Sequence, residues 1–185
     1  VGSSIIAIDP GGTTGIATFS YNTRLWHTFQ IPYDPIRLYE FFASMLDNAH
    51  DSASLLDTVT VICESFDYRP VGKYNFGGNR SIPKVDLIPR NVIGILELAC
   101  AYAKQEIIWQ KPSCVNGDDG SKSGDPNVFW TNDRLTMLGL YKRSQIHAMD
   151  ATKHILYYRA FTKKEEYLFH ALRPGKSTAF EEGMR

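Results

Sequence analysis

Unbroken apolar runs alternate along this chain with stretches in which apolar residues recur every three or four positions, which predicts a mixed α/β domain. Ile5 to Ile8 is wholly apolar, as expected of a strand covered on both faces. A glycine-rich turn leads from it into Gly15 to Ser20 and then Leu25 to Ile31, completing a three-stranded antiparallel meander. Asp34-Pro35 reads as a helix cap followed by proline in the first turn, with Ile36, Tyr39, Phe42, Ala43 and Leu46 at helical spacing to about His50. Thr58 to Glu64 is β-branched and apolar up to a terminal carboxylate, the pattern of a central strand with a functional group at its end. Pro89 opens a second helix to about Lys104, carrying Val92, Ile93, Leu96, Ala99, Cys100 and Ala103, and Glu106 to Gln110 is a fifth strand. A short helix begins near Asn132, with Leu135, Leu138 and Leu140 as packing residues, and His147 begins the last well-marked helix, running to about Phe161. The signal weakens beyond Lys163, and Pro174 to Arg185 is a polar tail.

Three strands, helix, strand, helix, strand, helix is the order of a ribonuclease H-like fold rather than of a regularly alternating parallel sheet. It predicts a mixed five-stranded sheet flanked by helices. A chain of 185 residues, 43% hydrophobic, can bury one sizeable core, so residues 1–162 are expected to form a single domain and 163–185 a C-terminal extension. No apolar run approaches the roughly 18 to 20 residues of a membrane span. The first residues lack the pattern of a secretory signal, so the expected location is the cytoplasm. Cys63, Cys100 and Cys114 have no paired spacing that suggests disulfides or a zinc site, and the first two sit where small buried hydrophobes are expected.

Candidate chemistry lies in three segments. Ile5-Ile6-Ala7-Ile8-Asp9-Pro10-Gly11-Gly12-Thr13-Thr14-Gly15 ends a strand on Asp9, Val59 to Glu64 ends another on Glu64, and His147-Ala148-Met149-Asp150-Ala151 starts a helix. If the first and fourth strands pair in parallel, Asp9 and Glu64 lie side by side. His147 and Asp150, three apart on one helix face, could approach those strand ends. Such a set can hold two divalent cations on one phosphate, with Asp9 bridging, Glu64 holding one ion and Asp150 the other. Oxygen ligands favour Mg2+, and a histidine tilts the site toward tolerating Mn2+.

Net charge is formally zero, from 20 basic and 20 acidic residues, so overall balance announces no nucleic-acid partner. Charge is arranged locally instead. Phe66 to Arg90 carries Arg69, Lys73, Arg80, Lys84 and Arg90 against Asp67 and Asp86, with Phe66, Tyr68, Tyr74 and Phe76 interleaved. A basic and aromatic loop can track phosphates and stack on unpaired bases, or simply be a solvated loop. Lys111 to Val128, rich in glycine, aspartate and serine, reads as a second long loop and lacks the ligand spacing of a calcium site.

Taken together, Ile8-Asp9-Pro10-Gly11 with Thr14-Gly15-Ile16-Ala17, Glu64 ending the fourth strand, Trp109 to Val115 with Pro112, and His147-Ala148-Met149-Asp150-Ala151 resemble the RuvC-type Holliday junction resolvases. The likeness is greatest to the short forms carried by bacteriophages and covers Ile5 to about Arg159. It implies that Asp9, Glu64, His147 and Asp150 are catalytic metal ligands for two Mg2+. It also implies a homodimer that nicks the two symmetric strands of a four-way junction in recombination, repair or phage DNA processing, in the host cytoplasm if phage-encoded. Under it, Phe66, Tyr68, Arg69, Lys73, Tyr74, Phe76, Arg80 and Lys84 become candidate DNA contacts.

The chain departs from that family after Val115, where Asn116 stands in place of the lysine usual in bacterial members. Lys111, Lys122, Arg134 or Lys153 could substitute as a phosphate contact, and Lys153 lies three residues after Asp150 on the same helix. Two other classes share features of the chain. Asp9-Pro10-Gly11-Gly12-Thr13-Thr14-Gly15 is similar to the first phosphate loop of actin-like sugar kinases, which also need a second lobe, and a binding-only module for branched DNA would not need intact Asp9, Glu64 and Asp150.

Overall fold

The computed structural model describes residues 3–51, 58–66, 87–111 and 130–171. Strands β1 (Ser3–Asp9), β2 (Thr13–Ser20) and β3 (Trp26–Pro32) form the expected meander, followed by α1 (Pro35–Asp51), β4 (Thr58–Glu64), α2 (Ile88–Tyr102) and β5 (Ile107–Gln110). Helices α3 (Asn132–Met137), α4 (Ile146–Tyr157) and α5 (Glu166–Ala171) complete the order, with a π-helical turn at Tyr158–Thr162 between the last two. The sheet runs β3-β2-β1-β4-β5, antiparallel across the first three strands and parallel from β1 to β4 to β5. β1 is therefore central, as its apolar run requires.

Strand alternation divides the core into two layers. On one face Ile6 and Ile8 of β1, Ile16 of β2, and Val61 and Cys63 of β4 pack against Leu38, Phe42 and Leu46 of α1 and against Val92, Leu96, Ala99 and Cys100 of α2. On the other face Ile5 and Ala7, Ala17 and Phe19, and Ile62 pack against Ala151 and Ile155 of α4 and Tyr158 just after it. A third cluster joins α3, α4 and α5 through Trp130, Leu135, Ala148, Met149, Leu156, Ala160 and Leu168. Leu168 brings α5 into this packed structure.

Asp34 caps α1, its Oδ1 accepting the backbone N–H groups of Ile36 and Arg37 at 3.0 and 3.1 Å. The buried stripe of α1 is Leu38, Phe42 and Leu46, whereas Ile36, expected on that face, is largely exposed in the first turn. An i, i+4 stripe led by Leu38 meets the sheet more squarely than one led by Ile36, which lies on the opposite side of the first turn. The last long helix also ends earlier than its sequence suggests, because the α-helical ladder gives way to the π turn at Tyr158.

That π turn carries Arg159, a buried guanidinium. It stacks on the Phe19 ring, 3.8 Å from its centroid, and donates to both carboxylate oxygens of Glu165, at 3.0 and 2.7 Å, and to the Tyr167 hydroxyl. Tyr21, at the end of β2, donates its hydroxyl to the same Glu165 at 2.6 Å. Burial and the Glu165 carboxylate hold the Tyr21 phenol well above its usual range.

Candidate active site

Side-chain parity sets the site. In β1 the residues facing α4 are Ile5 and Ala7, so Asp9, next in the alternation, faces α4 as well. In β4 the same parity carries Ile62 and then Glu64 to that face, and in β5 it carries Gln110, since Ile107 packs on the opposite layer. The register sets Ile8 opposite Cys63, so Asp9 and Glu64 follow as neighbours at the carboxyl ends of parallel strands. Glu64 in turn pairs with Gln110 of β5.

Helix α4 crosses this end of the sheet very closely. A Cβ placed on Gly15 would lie 2.1 Å from the carbonyl carbon and oxygen of His147, so only glycine lets the first turn of α4 rest on β2. Gly15 is also the strand partner of Asp9. The helix start is tied to β3 by Gln30, whose Oε1 accepts the His147 backbone N–H at 2.9 Å. Because the close approach is made at His147, the first turns of α4 deliver their side chains directly over Asp9.

Three carboxylates meet there, each with a nitrogen partner. His147 Nδ1 is 3.2 Å from Asp9 Oδ2, His154 Nε2 is 3.0 Å from Glu64 Oε2, and Lys153 Nζ donates to Asp150 Oδ1 at 2.8 Å. Burial pushes the Asp9 carboxyl up to about 8; the Glu64 and Asp150 carboxylates push the same way and the Lys153 ammonium opposes them. Asp9 is the hub of the cluster, since it senses both other acids. The two histidines differ sharply, His147 having a side chain 47% exposed at the mouth and His154 being fully buried behind Glu64.

The chemistry of this donor set suits a hard divalent cation. Crowded carboxylates are short of positive charge, and carboxylate oxygens with an imidazole nitrogen are ligands for Mg2+ or Mn2+. Among the described residues no three acidic, histidine or cysteine side chains already enclose one point as a metal cage.

Asp9, Glu64, His147 and Asp150 are thus brought together as their spacing suggested. Lys153, expected as a phosphate contact, is 7% exposed and paired with Asp150, which places it within the acidic cluster and not on an open surface. Phe66 is partly buried just beyond β4. Tyr68, Arg69, Lys73, Tyr74, Phe76, Arg80 and Lys84 lie outside the described residues, as does Lys122. Two residues were missed from sequence, His154 and Gln110. The signal for His154 was its spacing, since 147, 150 and 154 fall on one helical stripe.

Neither a family model nor a curated protein matches the sequence. Solved structures do. A Thermus thermophilus RuvC in complex with a Holliday junction substrate superposes with a TM-score of 0.57 at 13% identity, covering 88% of this chain and 96% of that one. A second Thermus thermophilus RuvC structure gives 0.51 at 14% identity, covering 86% and 96%. The fold is RuvC-like. Within it, the mixed five-stranded sheet and flanking helices are those expected of a ribonuclease H-like arrangement. No helix among the described residues is long and apolar enough to cross a membrane.

Proposed function

We propose that this protein is a metal-dependent endonuclease that nicks four-way junctions or related branched DNA. The observation that carries the reading is the convergence of Asp9, Glu64 and Asp150, with His147, at one end of a RuvC-like sheet. That one of the similar structures is a complex with a Holliday junction substrate supports DNA as the partner. Two Mg2+, with Mn2+ accepted in their place, would supply an activated water and stabilisation of the leaving oxygen.

The chain's own residues divide that work by position. Asp9, central and nearest in charge to both other acids, would hold the cations together with Glu64, Asp150 and His147. The exposed His147 ring would offer its nitrogen to a cation or to a proton near the attacking water. Gly15 and Gln30 hold the helix start in register with the strand ends, so these groups are oriented before substrate arrives. The basic and aromatic segment after Glu64, which begins at Phe66, would track the phosphates and stack on splayed bases. The reading extends to a homodimer, one copy for each symmetric strand of a junction, serving recombination, repair or phage DNA processing.

The test is comparative cutting of an end-labelled four-way junction, flap, fork and linear duplex with Mg2+ or Mn2+. Nicks in branched DNA that vanish with chelator are expected, and Asp9→Asn should abolish cutting while junction binding persists. Unchanged cutting by Asp9→Asn would sink the metal assignment, and ATP consumption with a sugar but no nicking would favour the kinase reading.

A further inference from the structure

We infer that His154, supported by Gln110, is a positioning residue that fixes the Glu64 carboxylate for cation binding, an inference that rests on the nuclease reading only for which reaction the site serves. His154 is fully buried on the sheet side of α4, seven residues past His147. Its two ring nitrogens are both engaged, Nε2 at 3.0 Å from Glu64 Oε2 and Nδ1 at 2.8 Å from Gln110 Oε1. Gln110 is itself buried, and its backbone carbonyl accepts the N–H of Ser65, directly after Glu64, at 2.6 Å. The imidazole therefore bridges the ends of two adjacent strands from behind the cleft.

An ionised carboxylate only accepts, so Nε2 supplies the hydrogen that Glu64 receives. The Gln110 amide has a donating and an accepting end and meets Nδ1 by turning over, so the bridge does not depend on one protonation state of the ring. Held at Oε2, the Glu64 carboxylate loses rotation about its last bond and meets a cation already oriented. This inverts the usual arrangement in which a ligating histidine is steadied by a carboxylate; here a ligating carboxylate is steadied by a histidine. A leucine of similar volume would fill the space but leave Glu64 free to turn and Gln110 without its partner. Groups that orient ligands in this way usually contribute about 10- to 100-fold to metal affinity or activity.

The experiment compares the parent with His154→Leu, His154→Gln and His154→Asn, titrating Mn2+ into each metal-free protein by calorimetry, with thermal unfolding as the folding control. A glutamine can place its amide nitrogen near the Nε2 position and keep the bond to Glu64, whereas an asparagine reaches only the Nδ1 position. The expected order is parent, then glutamine close behind, with asparagine and leucine weaker by about 10- to 100-fold. In junction cleavage the same loss should fall on kcat, with KM for DNA unchanged. A folded leucine variant that binds Mn2+ like the parent would overturn the inference. If leucine fails to fold, equal affinities of the glutamine and asparagine variants would overturn it. Should the parent bind Mn2+ but cut no branched DNA, the nuclease reading fails while the Mn2+ ranking still decides the role of His154.

Discussion

Two histidines on one helix, His147 and His154, each face a strand-end carboxylate at almost the same distance, 3.2 and 3.0 Å, yet stand in opposite environments. His147 is half open to solvent and pairs with Asp9, the acid that both other carboxylates disturb. His154 is sealed between β4, β5 and α4, with a second partner on its far nitrogen. The difference teaches that residue type and acid contact do not assign a role by themselves. Freedom to exchange the acid for an incoming ligand separates a group that can act on substrate from one that holds another group still.

The largest expected effect comes from disturbing the seat of the mouth alone. Gly15→Ala forces a Cβ into the His147 carbonyl, and relieving that overlap means lifting the first turn of α4 off β2. A loss of about 3 kcal/mol in unfolding free energy is expected by urea denaturation, with cleavage falling further than stability accounts for. Full retention of activity would show that the mouth tolerates displacement and would break the contrast between the two ends.

Next in size is His147→Ala, which should lower junction cleavage on the order of tenfold while leaving the denaturation midpoint nearly unchanged, since the ring is exposed. Equal losses of stability from His147→Ala and His154→Leu would erase the distinction drawn here. A third effect bears on stability and is electrostatic. The Asp9 carboxyl of the metal-free protein is raised from 3.8 to about 8, so the folded chain binds a proton there that the unfolded chain has released. The stability this gives is fully present below about pH 4 and is lost as pH rises through about 8. Unfolding in chelator across that range should show the decline, and Asp9→Asn should flatten it. A profile that Asp9→Asn leaves unaltered would move the crowding of charge elsewhere.

Much of this architecture was legible in the pattern of apolar positions. The four-residue core of β1, the β-branched β4 and the Asp34-Pro35 start of α1 are local signals that tertiary packing reinforces. Asp9 and Glu64 were legible because each closes an apolar run, and strand parity then commits both to one face. His154 was not, because it stands between Ala151 and Ile155, which pack on the sheet, and so reads as one more core position of α4. Lys153 was read as a candidate phosphate contact three residues after Asp150; the fold adds that its ammonium is drawn inward onto that carboxylate. Gln110 looked like the polar end of a strand, and its value lies in a partner 44 residues away that no local pattern announces.

The Arg159 cluster gives α4 a mechanical character. The helix is pinned at its start by Gln30 and Gly15 and at its finish by an arginine clamped between Phe19, Glu165 and Tyr167, with Tyr21 bracing the same glutamate. It behaves as a beam supported at both ends, and its half of the acidic cluster rides on the span. Stiffness at the cleft is then partly set at the opposite end of the same strands, where a change that never touches the acids would retune how firmly they are presented.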